Sequence, residues 1–237
     1  MENTENKTNM SSIMDLKDKI PLPASIIVAG LLIAGAILIS NGSNKNNEPT
    51  KAPLAQVKAV GDSDHILGDR KAKIVVVEYS DTECPFCKKF HETMHQVVSN
   101  YGGDVAWVYR HFPLDSLHSK ARKEAEAVEC AFELGDSNGY WKYLDRIFEI
   151  TPSNNQLEQT KLAEIATFVG LDATAFTTCL DSGKYTQFVE DQYQSGVAAG
   201  AQGTPHSFIL KKGKTVDLIQ GAESFESIKA KIDALLK

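Results

Sequence analysis

The feature that most constrains the fold of this chain is a pair of cysteines placed where a strand gives way to a helix. Cys84 and Cys87 enclose a Pro-Phe dipeptide and follow the β-branched run KIVVVEYS (residues 73–80), which predicts a central strand. From Cys84 to about residue 100, apolar side chains recur at helical spacing. Two cysteines at i and i+3 on a first helical turn face the same way, close enough to form a disulfide.

This position favours redox chemistry at the two cysteines. Free N–H groups and the positive end of the helix dipole stabilise a thiolate at Cys84, which is expected to be the exposed nucleophile. Cys87, one turn further in, is then the resolving thiol. A zinc site requires a second pair, and Cys130 and Cys179 stand alone and far apart. A static structural disulfide is the other alternative.

The remaining pattern predicts an α/β fold. Its order is strand, helix, strand, a long helical block, then a β-hairpin and a last helix. This is the thioredoxin arrangement, with a helical domain inserted at about residues 117–200. The later predicted elements are a strand over 105–109, helices over about 119–199, strands over 207–210 and 215–220, and a helix over 225–236.

The N-terminal region differs from the rest. Residues 20–40 are nearly all apolar and are long enough to cross the roughly 30 Å core of a bilayer. They predict a transmembrane signal-anchor after a cytoplasmic tail (1–19), and a cleaved signal peptide is the alternative. Residues 41–62 are polar and predict a linker. Residues 63–237 are the expected folded domain.

Four segments of the chain resemble the DsbA-like family of extracytoplasmic thiol–disulfide oxidoreductases, in the family's order and spacing. They are DHILGDRKAKIVVVEYSDTECPFCKKFH (64–91), LHSKARKEAEAVECAF (117–132), FTTCLDSGKY (176–185) and GVAAGAQGTPHSFIL (196–210). The resemblance implies a thioredoxin fold with a helical insertion, Cys84 as the nucleophile and Cys87 as the resolving cysteine.

The resemblance also implies roles for residues outside the CxxC motif. Thr204 and Pro205 match the cis-proline loop, whose backbone pairs with a bound peptide, although Gly-Thr-Pro is also typical of a simple turn. Glu78 matches a buried acid that assists proton transfer at Cys87; a strand-edge glutamate facing solvent is the alternative.

Cys130 and Cys179 lie on predicted buried helix faces. An oxidising compartment and an even cysteine count favour a structural disulfide between them, as in some family members. Two free buried cysteines are the alternative.

Two residues depart from the family pattern. Phe86 stands where strongly oxidising members have a histidine, so the pKa of Cys84 is expected to be less depressed than in those members. His206 follows Pro205, where a small or apolar residue is more usual. It is expected to be an exposed strand residue rather than a partner of Cys84.

The sequence gives little indication of a nucleic-acid, metal or cofactor site. The chain carries 25 Lys+Arg against 31 Asp+Glu, so nucleic acid is not an expected partner. His91 and His95 stand four residues apart on a predicted helix, but no third ligand is in view, so no metal site is predicted. No cofactor is expected either.

The sequence therefore predicts a membrane-anchored, monomeric enzyme that introduces disulfides into reduced extracytoplasmic proteins. In the family, a quinone-linked membrane oxidoreductase regenerates the disulfide. The alternatives are a thiol reductase or isomerase with the same site, a metal-binding CxxC module and a peptide-binding holdase.

Overall fold

The computed structural model describes residues 54–237. The predicted tail, the transmembrane segment and residues 41–53 of the linker lie outside this range. Within the described residues, no helix combines the length and apolar character that crossing a bilayer requires. Part of the predicted linker packs on the domain, because Val57 and Val60 contact its apolar core and Arg110 donates to the Lys58 carbonyl oxygen at 3.0 Å.

A five-stranded sheet in the order β1-β3-β2-β4-β5 forms the centre of the domain. The central strand β2 pairs in parallel with β3 and antiparallel with β4. The outer pairs, β1 with β3 and β4 with β5, are antiparallel. The strands are β1 (His65–Leu67), β2 (Ile74–Ser80), β3 (Val105–His111), β4 (His206–Lys211) and β5 (Lys214–Gln220).

In the part of the chain that the structure describes, six helices accompany the sheet, and four of them form the insertion between β3 and β4. They are α1 (Pro85–Tyr101), α2 (Ala121–Ile150), α3 (Lys161–Phe168), α4 (Ala173–Asp181), α5 (Thr186–Ala198) and α6 (Phe225–Leu236). Helix α2 is kinked at Gly135 and Asp136, whose backbone angles are not helical. The predicted thioredoxin-like α/β fold with a helical insertion is thus confirmed.

Side chains alternate across β2 and build two separate cores. Ile74 and Val76 face the larger core, which includes Phe90 of α1 and apolar residues of α2, α3, α4 and α6. Val77 and Tyr79 face a smaller core, closed by residues at the end of α5. Because Glu78 has the same parity as Ile74 and Val76, its carboxyl points to the side where α1 and the CxxC motif lie.

The insertion is tied to the sheet by a buried carboxylate. Glu129 of α2 lies between two histidines of the sheet, His65 at 2.9 Å and His111 at 2.9 Å. These hydrogen bonds outweigh burial and lower the pKa of Glu129. A paired carboxylate of this kind fixes where α2 crosses the sheet, and so positions the insertion beside the CxxC helix.

Candidate active site

The two cysteines lie at the N-terminal end of α1. Cys84 is the residue before the helix, with an extended backbone conformation, and Pro85 occupies the first turn, where the missing N–H costs no hydrogen bond. Cys87 is completely buried, and Cys84 is only 4% exposed. The expectation of an exposed Cys84 is therefore wrong, because its sulfur lies against the loop carrying Thr204.

That loop contains the cis peptide bond Thr204–Pro205. The Cys84 thiol donates a hydrogen bond to the Thr204 carbonyl oxygen, with a sulfur–oxygen distance of 3.5 Å. Pro205 and His206 line a surface cleft that continues along Gln202 and Gln220. His206 is half-buried at the start of β4 rather than fully exposed. The loop thus brings a backbone carbonyl to the reactive sulfur and opens onto a cleft.

The two thiols differ strongly in acidity. A hydrogen bond from the Cys87 thiol, together with the Thr204 side chain and the N–H groups of Phe86 and Cys87, lowers the pKa of Cys84 to about 6. Burial, and then the neighbouring Cys84, raise the pKa of Cys87 well above its ordinary value. At neutral pH, Cys84 is therefore a thiolate and Cys87 a thiol, which is the asymmetry that thiol exchange requires.

Glu78 is completely enclosed by the protein, so the solvent-facing alternative is wrong. Burial raises the pKa of its carboxyl from 4.5 to about 8. The charge of Glu78 in turn contributes to the raised pKa of Cys87, which places the two groups within electrostatic reach of each other. A buried carboxyl with a pKa near neutral is able both to accept and to return a proton.

A second group of buried acids, which the sequence analysis missed, holds the segment before Cys84. Asp81 accepts a hydrogen bond from the Leu114 N–H at 2.8 Å, and Glu83 accepts one from the Asn155 N–H at 2.6 Å. Thr82 donates to Glu124 of α2 at 2.6 Å. Burial, and then sharing of a hydrogen bond with Glu83, raise the pKa of Glu124 to about 9. Glu124 is therefore protonated at neutral pH.

Cys130 of α2 and Cys179 of α4 form a disulfide with a Cα–Cα distance of 5.9 Å. This is the pairing that the oxidising compartment and the family resemblance favour. It crosslinks two helices of the insertion, and both cysteines are buried in the larger core. Cys84 and Cys87 carry free thiols in this structure.

The difference in acidity predicts a distinct alkylation profile for the reduced enzyme. We expect the rate of Cys84 alkylation by iodoacetamide to rise with a midpoint near pH 6, while Cys87, completely buried and with a raised pKa, stays unmodified. In Cys87→Ala the midpoint is expected to rise, since the strongest hydrogen bond to the thiolate is gone. Mass spectrometry of quenched samples measures both sites. A wild-type midpoint near the ordinary thiol value of about 8.5 would contradict the assignment.

Comparison with known proteins places the chain in a family. The family model described as "Thioredoxin" matches residues 61–234, so the chain belongs to this thioredoxin family. A stretch of 167 residues is 31% identical to the Na(+)/H(+) antiporter NhaA 1 of Mycobacterium sp. (strain KMS), covering 69% of this chain and 26% of that protein. The chain thus spans about a quarter of the length of this curated relative.

Comparison with solved structures shows which members of the thioredoxin superfamily the chain is similar to. DsbA2 of Pseudomonas aeruginosa superimposes with a TM-score of 0.62 at 26% identity, over 75% of this chain and 97% of that one. Oxidised BdbD of Bacillus subtilis gives a TM-score of 0.66 at 20% identity, over 78% and 98%, and supports the fold alone. The chain is a DsbA-like member of the thioredoxin superfamily.

Proposed function

We propose that the protein introduces disulfides into extracytoplasmic proteins by dithiol–disulfide exchange at Cys84 and Cys87. The observation that carries the proposal is the pairing of a stabilised Cys84 thiolate with a buried, weakly acidic Cys87. A thiolate with a pKa of about 6 is a good leaving group at neutral pH, so the reduced enzyme is stabilised relative to its disulfide.

The reaction begins with the Cys84–Cys87 disulfide. A substrate thiolate attacks the sulfur of Cys84, the enzyme disulfide breaks, and the electron pair leaves on Cys87, which takes up a proton. Protonated Glu78 is the proposed donor of that proton, because its pKa of about 8 lies near neutrality. A second substrate thiolate then attacks the substrate sulfur of the mixed disulfide and releases the Cys84 thiolate. The substrate loses two electrons, and the enzyme gains them.

The cleft beside Pro205 is the proposed site for the substrate chain. Its lining combines backbone of the Thr204–Pro205 loop with the side chains of Gln202, His206 and Gln220. An extended peptide laid here has backbone groups to pair with next to the sulfur of Cys84. Recognition through backbone groups suits a substrate class of unfolded, reduced proteins with unrelated sequences.

The proposed location is the outer side of the cell membrane, with the N-terminus in the cytoplasm and a single membrane anchor at residues 20–40. The apolar character of that segment supports the anchor. The Cys130–Cys179 disulfide suits an oxidising compartment. A quinone-linked membrane oxidoreductase is the proposed partner that reoxidises the enzyme, which acts as a monomer. An anchor raises the effective concentration of both proteins at the membrane.

The reduction potential of the Cys84–Cys87 couple tests this direction of electron flow. The full chain is equilibrated with glutathione buffers, and the reduced fraction is measured by alkylation. A value of about −120 to −180 mV is expected for a disulfide donor, and a value near about −270 mV makes the protein a reductant. Cys84→Ser and Cys87→Ser are expected to abolish oxidation of a reduced test protein. Both variants keep the Cys130–Cys179 pair. Loss of oxidising activity in them therefore shows that the activity belongs to the CxxC motif.

A further inference from the structure

Two histidines of the CxxC helix meet an aspartate of the insertion. The Nε2 atom of His91 lies 2.7 Å from the Oδ1 atom of Asp145, and Nε2 of His95 lies 2.9 Å from the same oxygen. The two Nε2 atoms are 3.2 Å apart. One ligand atom from each residue falls within 4.8 Å of the others. The third ligand that the sequence did not reveal is thus supplied by α2.

The distances among these three atoms fit coordination of one shared cation better than they fit hydrogen bonds between the side chains. Two ring nitrogens that both donate to one carboxylate oxygen bring their hydrogens together at this separation. Around a tetrahedral zinc ion with Zn–N distances of about 2.0–2.1 Å, two nitrogens stand about 3.3 Å apart. The histidine nitrogens already have that separation, and half-exposed Asp145 needs to move back by only about 0.5 Å to reach the same geometry.

We propose that His91, His95 and Asp145 form a zinc-binding site that joins the CxxC helix α1 to the insertion helix α2. Two imidazoles and one carboxylate are a donor set that zinc uses in proteins, with a fourth position left for water. Oxygen-preferring cations such as calcium and magnesium are poorly matched to two nitrogen donors.

The surroundings hold the ligands in place and leave an entrance. His91 is buried, with its ring centroid 5.1 Å from that of Trp107 and 4.6 Å from that of Phe148. His95 and Asp145 are partly exposed, so the ion has access from solvent. Among the described residues, Nδ1 of His91 has no hydrogen-bond partner. A hydrogen bond to the second ring nitrogen of a histidine ligand raises metal affinity about 10–100-fold. Because His91 lacks one among the described residues, we expect micromolar rather than nanomolar zinc binding.

The site is separate from the thiols, although it lies on the same helix. His91 follows Cys87 by four residues, one helical turn. A zinc ion here fastens α1 to α2, and it stabilises the folded protein by mass action without taking part in thiol exchange. The proposal therefore holds whichever direction electrons flow at Cys84 and Cys87.

The test is a calorimetric titration of the metal-free full chain with zinc chloride. The enzyme is first oxidised, because reduced Cys84 and Cys87 are themselves zinc ligands. We expect one ion per chain and a rise in the unfolding temperature. Asp145→Asn and His95→Gln are expected to weaken zinc binding at least tenfold. Loss of a group that only hydrogen-bonds to a metal ligand already lowers affinity about 10–100-fold, and loss of the ligand itself lowers it at least as much. These conservative changes avoid buried His91, and circular dichroism verifies their fold.

The matched control is Glu149→Gln, which removes a carboxylate one turn further along α2 in the cleft that Asp145 also lines. It is expected to bind zinc like the wild type. Three results would overturn the proposal: no binding to the oxidised wild type, binding by the reduced enzyme only, or equal affinity in the wild type, Asp145→Asn and His95→Gln.

Discussion

Replacing Glu78 with glutamine is expected to stabilise the protein increasingly as the pH rises from about 4.5 to 8. Burial raises the pKa of Glu78 from 4.5 to about 8, so between these values the folded state holds a proton that the unfolded state has released. The contribution of Glu78 to wild-type stability therefore falls with rising pH in this window, by about 1.4 kcal/mol per pH unit. The loss amounts to about 3 kcal/mol at pH 7.

Glutamine keeps the shape of the side chain but has no proton to release, so its stability curve is expected to be flatter. Urea unfolding of the oxidised full chain at several pH values measures the difference without titration of the thiols. Burial, the main cause of the raised pKa, is unchanged by oxidation. Glu92→Gln, an exposed position on α1, is the matched control and should follow the wild type. Parallel curves for the wild type and Glu78→Gln would show that Glu78 is not held protonated.

The same substitution is expected to slow catalysis. Glu78 is the proposed proton donor and acceptor for Cys87, whose pKa is raised by burial and by the neighbouring charges. Without it, formation and resolution of the mixed disulfide depend on slower proton transfer, most severely below the pKa of Cys87. A variant that gains stability and loses rate shows that the buried acid is retained for chemistry rather than for folding.

Much of the fold was predictable because its local patterns agree with its tertiary packing. The helix predicted over residues 225–236 has those bounds in the structure, and the predicted hairpin is present with its turn at Lys212 and Gly213. Strand β1 was missed, because three residues carry too little alternation to recognise. The strand order was implied by the thioredoxin arrangement and not by any residue pattern, since pairing is decided by packing between distant segments.

The residues of the candidate sites likewise differ in how far the sequence predicts them. Cys84, Cys87, Thr204 and Pro205 carry motifs with a fixed spacing, and the structure brings Thr204 to the sulfur of Cys84. Glu124 and Asp145 lacked any such pattern. Each is an ordinary acid on α2, and its role depends on a tertiary contact. Glu124 meets Thr82 in the segment before Cys84, and Asp145 meets two histidines of α1.

The acidity of Cys84 and the structural disulfide depend on different parts of the fold. The groups that lower the pKa of Cys84 come from its own helix turn and from the Thr204 loop. The disulfide lies between α2 and α4 of the insertion. Changes in the insertion should therefore affect stability, while changes at the helix start should affect redox chemistry.

Removal of the Cys130–Cys179 disulfide tests that separation and is the second large effect we expect. The bond joins residues separated by 49 positions, and closing a loop of that length stabilises the folded state by about 4 kcal/mol in the chain-entropy model. Cys130→Ala combined with Cys179→Ala should lower the free energy of unfolding by about that amount or somewhat less. Alanine is chosen because both positions are buried.

Urea unfolding of the double variant and the wild type measures the loss, with Cys84→Ala combined with Cys87→Ala as the control that keeps the structural disulfide. The stacked rings of Tyr143 and Phe176, with centroids 5.3 Å apart, continue to join α2 to α4, so the variant is expected to fold. Its Cys84 alkylation midpoint should stay near pH 6. Unchanged stability would mean that the crosslink does not constrain the unfolded chain. A shifted midpoint would mean that the insertion, through α2, also sets the acidity of the catalytic thiol.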